Sequence, residues 1–229
     1  MTNFFEQLQA ETETARDDFL SIPVVHQGAK GAINQATYTA FLEQAYHHVK
    51  HTVPLLMACG SKLSGEYEWL REAIGHYIEE EMGHQEWILN DLRACGVDAE
   101  KVRNGKPHPS TEIMVAYAYD IIHRNNPVGF FGMVLVLEGM SILLASNAAD
   151  SIRSSLELPD SAFSYLSSHG ALDISHMEFF TGLMNRLEKK VDKDAVIHSA
   201  NVIYHLYGNI FRNLPFDVQK NIIKEVTHV

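Results

Sequence analysis

Between Asn126 and Ala149 the chain reads NPVGFFGMVLVLEGMSILLASNAA, which on a helix is apolar on every side and carries a single carboxylate, Glu138, near its middle. A helix without a polar face belongs at the centre of its fold, with other helices packed around it. An isolated carboxylate there has to be protonated, paired with a base or bound to a metal, because burying it charged and alone is too costly. A salt bridge to Arg or Lys is the structural alternative. This one segment therefore predicts both a helical architecture and the place to look for chemistry.

The rest of the sequence agrees with the architecture. Almost every stretch has helical period, and the alternation of half-buried strands is missing. A first helix is expected over residues 3–20. Pro23, Gly28 and Gly31 then suggest loop or short turns before a helix that begins near Ala36 and is kinked at Pro54. A third helix is expected from Gly65 to Arg93, ending at Gly96. Another starts after Ser110 with Glu112 in its first turn, and Asn126-Pro127 opens the apolar helix, which continues to about Asp150. Pro159 opens a helix through His169 and His176 to about Lys190, with a break near Gly170 as an option. Asp192 is expected to cap the penultimate helix, and Pro215 to start the last. The fold class is all-α: one bundle of seven to eight helices spanning residues 1–229.

Length and composition fit that reading, since 229 residues with 46% hydrophobic content suffice for one sizeable core. A net charge of -11, with Lys and Arg scattered singly, argues against a nucleic-acid groove. Cys59 and Cys95 form no CxxC pair and read as reduced thiols. The acidic N-terminal stretch lacks the features of a signal peptide, and no run is expected to be apolar enough to span a bilayer. A cytoplasmic setting, with no membrane or nucleic-acid partner, is the expectation.

Two further segments carry candidate ligands. In SSHGALDISHMEFF, His169, Asp173 and His176 stand at i, i+4 and i+7 and share one helical face. Two imidazoles and a carboxylate on one stripe are satisfied together by a divalent metal; a solvated polar face is the bland alternative. In EEEMGHQEW, Glu81 and His84 have the ExxH spacing of carboxylate-bridged iron proteins, with Glu80 a competing choice at i−4 from His84. Three helices thus offer three carboxylates and three histidines. With no thiolate, that set suits two iron ions, or manganese, better than zinc. His48 and His51, close to one face of the second helix beside His47, are candidates for orienting those ligands; core or surface histidines without a role are the alternative.

Taken together, Glu81, His84, Glu138, the His169-xxx-Asp173-xx-His176 run and the helix bearing YHHVKHTVPLL resemble the heme-oxygenase-like diiron oxidases and oxygenases, which share their fold with the TenA and PqqC proteins. The resemblance covers most of the chain. It implies that those six residues are iron ligands, decides for Glu81 over Glu80, and makes Glu138 a bridge between metals. It also implies reduced iron and dioxygen acting on a small organic substrate by C–H or amine oxidation or oxidative decarboxylation, with the second iron weakly held. An external electron donor and a homodimer fit the same picture.

Two rivals stay in view: a metal-free, TenA-like thiamine-salvage hydrolase, and a non-catalytic ligand-binding or regulatory member of the fold. Neither cysteine stands beside Glu138 in sequence, which argues against a thiol nucleophile, and the surroundings of His26 do not resemble the proximal-histidine helix of true heme oxygenases. Phe130, Phe131 and Met140 suit an apolar substrate. Lys50, Arg71 and Arg124 are the basic residues that sequence proximity offers as anchors.

Overall fold

The structure, a computed structural model, describes residues 3–216, apart from the side chains at position 146 and positions 169–175. Among these residues there are helices and turns only. Twelve α-helices replace the seven or eight expected, because several long predicted helices are broken.

The first predicted helix is two, α1 (Phe4–Glu11) and α2 (Glu13–Leu20), parted at Thr12, whose hydroxyl donates back to Leu8 O (2.8 Å). Residues expected to form a loop instead make α3 (Pro23–Ala29), with Pro23 at its first position, where the missing N–H costs nothing. The kinked helix is α4 (Gln35–Val49) followed by α5 (Thr52–Lys62), so the chain bends just before Pro54. The third is α6 (Glu68–Glu81) and α7 (His84–Ala94), separated at Met82-Gly83. Gly83 has φ +95°, a left-handed conformation that a side chain disfavours. The ExxH pair therefore straddles a helix break, with Glu81 closing α6 and His84 opening α7.

Five helices complete the described chain: α8 (Ala99–Arg103), α9 (Pro109–Arg124), α10 (Phe131–Leu156), α11 (Ser164–Asn185) and α12 (Lys190–Arg212). The backbone of α11 is helical straight through Gly170. Asp192 does not cap a helix as expected. It lies in the first turn of α12 and accepts from Tyr67 Oη (2.5 Å) and Asn126 Nδ2 (2.8 Å), tying three segments together. The helix expected after Pro215 falls outside the described residues.

As its all-round apolarity requires, α10 is the central element, packed on α11, α12 and α3. Pro127–Ala145 is in fact long and apolar enough by composition to cross a membrane, contrary to the sequence expectation, but much of it is buried in the bundle. The α10–α12 crossing is close because position 132 has no side chain: a Cβ there would lie 2.6 Å from both Ala200 N and Val196 O. Backbone cannot move aside as a flexible side chain can. Gly132→Ala is expected to cost about 2 kcal/mol in urea unfolding, the order found for overpacked cores.

Candidate functional site

Breaking the helix at Gly83 lets Glu81 and His84 turn toward each other. His84 Nδ1 donates to Glu81 Oε2 (3.0 Å), and both side chains are buried. Because a carboxylate only accepts, this bond puts the imidazole proton on Nδ1 and leaves the lone pair on Nε2. Trp87, one turn further along α7, stacks on the His84 ring at 4.0 Å between centroids. The ring is thus held from both sides.

His176 comes from α11 and is also buried. Its Nε2 lies 2.8 Å from Glu80 Oε2, and its Nδ1 lies 3.6 Å from Glu138 Oε1 on α10. Tyr77, read from sequence as a packing aromatic, does pack, but its ring meets His176 edge-on at 5.7 Å. Glu80 and Glu81 are therefore not competitors for one role. Glu80 is partly exposed and reaches His176, with His76 also near it (3.5 Å), whereas Glu81 is buried beside His84.

The structure thus gathers four of the six predicted ligands into two groups, Glu81 with His84 and Glu138 with His176. The side chains of His169 and Asp173 lie outside the described residues. Among the described residues no three His, Cys, Asp or Glu side chains already stand in the geometry of a metal-binding group. The donor types nevertheless fit one: buried imidazoles and carboxylates are held together by shared protons, which a divalent ion displaces as it binds.

The two second-helix histidines separate. His48 is buried, meets the Tyr207 ring edge-on at 5.9 Å, and lines the same cavity as Glu81 and Glu138. His51 instead faces Tyr119 Oη (3.3 Å) and does not line that cavity. Its pKa is lowered by burial and by Lys50. The neighbouring His47 is pushed down to about 4 by burial, then by Lys50, whose Nζ lies 3.2 Å from its Nδ1. Both are neutral at pH 7.

The cavity itself has a volume of about 180 Å³ and a mostly apolar wall that includes Phe130 and Met140. Phe131 is fully buried in the core and does not reach it. None of the three proposed anchors lines it either. Lys50 sits beside His47, Arg71 is engaged by Glu68 and by the Gly60 and Leu63 carbonyls, and Arg124 pairs with Asp120 in the open. No Lys, Arg or Cys is among the described residues lining the cavity. His26 is exposed, although the adjacent Val24 and Val25 face the cavity.

One positioning residue escaped the sequence reading. Asp91 on α7 is fully buried and caps α11 from outside. Its Oδ1 accepts from Ser164 N (3.0 Å) and from the Ser164 hydroxyl, and its Oδ2 accepts from Tyr165 N (2.9 Å). The signal was available: His84, Ile88 and Asp91 stand at i, i+4 and i+7, so this acid lies on the buried face of its helix.

Comparison with known proteins agrees with this architecture. A family model described as iron-containing redox enzyme matches residues 39–208. No curated protein matches by sequence. Among solved structures, a domain of unknown function with a heme oxygenase-like fold from Shewanella denitrificans OS217 is 26% identical, with a TM-score of 0.81 over 92% of this chain and 91% of that one. A TenA homologue from Pseudomonas syringae pv. tomato str. DC3000 has 12% identity and a TM-score of 0.77, covering 92% of each chain. Heme oxygenase-1 from the cyanobacterium Synechocystis sp. PCC 6803, in complex with heme, has 13% identity and a TM-score of 0.75, covering 99% of each. The fold is heme oxygenase- and TenA-like.

Proposed function

The chain belongs to the iron-containing redox enzyme family, and from that premise we propose that it is a non-heme diiron oxidase or oxygenase acting with dioxygen on a small, largely apolar substrate. The observation that carries this reading is the His176–Glu138 approach beside the Glu81–His84 pair, at the edge of an apolar cavity.

In this reading Glu81, His84, Glu138 and His176 hold iron, together with His169 and Asp173 from the same face of α11. With Nε2–H donating to Glu80, His176 presents its Nδ1 lone pair toward Glu138, and at 3.6 Å one ion can be bound by both. A carboxylate behind a ligating imidazole fixes its tautomer and raises its basicity, which assigns Glu80 an orienting role and Glu81 a ligating one. Bound ferrous iron would supply electrons to dioxygen and thereby the oxidising power the side chains lack. The surrounding apolar wall excludes water and seats the substrate. His48 offers a neutral imidazole in the cavity as a hydrogen-bond partner.

The metal-free hydrolase reading is weaker because no cysteine lines the cavity among the described residues. Anaerobic titration of the full chain with ferrous iron is expected to reach two ions per chain, with an optical change on admitting oxygen. Binding of less than one ion per chain, with no optical response, would sink the proposal.

A further inference from the structure

The wall that α10 gives the cavity is polar in the middle and apolar at both ends. Glu138 and Ser141 are its polar positions. Phe130, Met133 and Val134 flank them toward the N-terminal end, and Ala145, Ala148 and Ile152 toward the C-terminal end. At a rise of about 1.5 Å per residue, Phe130 lies about 12 Å from Glu138 along the axis and Ile152 about 21 Å away on the other side.

A volume of about 180 Å³ drawn out along roughly 33 Å of helix is narrow throughout, wide enough for a single chain and not for a fused ring system. Polar groups near the far end are already engaged: Tyr38 Oη donates to Ala162 O (2.8 Å), and Thr37 Oγ1 donates to Pro215 O (2.6 Å). The carboxylates thus stand partway along the channel and not at its end. No ammonium or guanidinium group among the described residues lines either arm to receive a charged headgroup.

From this placement we infer that the ligand is an unbranched apolar chain that threads past Glu138 with an arm on each side, so that the position held beside the carboxylates is an internal one. The inference rests on reading this cavity as the substrate site of the proposed oxidase and adds the class of substrate and the position presented. Its test does not require iron. The full, metal-free chain is titrated with two straight-chain alcohols of equal length, one with its hydroxyl at the chain centre and one with it at the end, each read by displacement of a fluorescent apolar probe.

The mid-chain alcohol is expected to bind about tenfold more tightly, because its hydroxyl meets Ser141, Glu138 and His48 while both arms stay apolar. Filling the long arm by Ala148→Phe is expected to weaken binding of long chains about tenfold and to spare chains short enough for one arm. Tighter binding of the terminal alcohol, or no binding of either, overturns the inference. So does an Ala148→Phe protein that folds normally and binds long chains unchanged. If that variant does not fold, the comparison of the two alcohols on the unaltered chain decides alone. Because the iron titration is a separate measurement, loss of iron binding with chain binding intact would count against the diiron reading and not against this one.

Discussion

Asp91→Ala is expected to destabilise the protein by on the order of 4 kcal/mol, a large share of the stability of a domain this size. The carboxylate is buried and accepts from Ser164 N, the Ser164 hydroxyl and Tyr165 N. Alanine leaves those donors buried without an acceptor, and each such loss costs about 1–3 kcal/mol. It also removes the negative charge from the N-terminus of α11, where the helix dipole favours it. Burial raises the carboxyl pKa, and the Ser164 and Tyr165 donors only partly draw it back. Because the folded chain holds this proton more tightly than the unfolded one, the linkage contribution is fully present below the unfolded value and is lost as pH rises through the folded one. Urea unfolding of wild type and Asp91→Asn across that range checks the sign: the advantage of the wild type should shrink as pH rises. Hydrogen exchange checks the location, with faster exchange expected in the first turn of α11, the helix that bears His176.

The all-helical fold was legible because the apolar helix at 127–149 leaves few options, and its lone carboxylate does sit against His176 on α11. The breaks were harder to read. Thr12 and the Lys50-His51 step interrupt good helical patterns for tertiary reasons, and only Gly83 carries a local signal for its break. The helix at Pro23–Ala29 was hidden by residues that usually mark loops, although Pro at a first helical position is a start signal. At the site, helical spacing found the ligand faces but treated Glu80 and Glu81 as rivals. Adjacent helical residues point about 100° apart, and the structure shows that two histidines wait for them in different directions. The basic anchors failed for a similar reason, since nearness in sequence says nothing about which helix face a long side chain leaves from.

Replacing Glu138 is expected to separate metal binding from stability more cleanly than any other change. With the diiron reading correct, Glu138→Ala lowers ferrous iron affinity by at least about 100-fold, since loss of an orienting partner alone costs 10–100-fold. The metal-free protein should not pay for it. The Glu138 side chain is only 12% exposed, next to an equally buried imidazole, and removing a poorly solvated carboxylate often leaves a fold as stable or more so. Unfolding midpoints without iron should therefore be unchanged or higher, while iron should raise the midpoint of the wild type and not of the variant, because a ligand stabilises only the state that binds it. Glu80→Gln and Glu81→Gln complete the argument. If Glu80 merely orients His176, its amide can still contact the ring, and the loss should stay near tenfold, whereas Glu81→Gln should approach the effect of Glu138→Ala. The reverse order would exchange their roles. An equal and small effect from all three would place the iron elsewhere in the bundle.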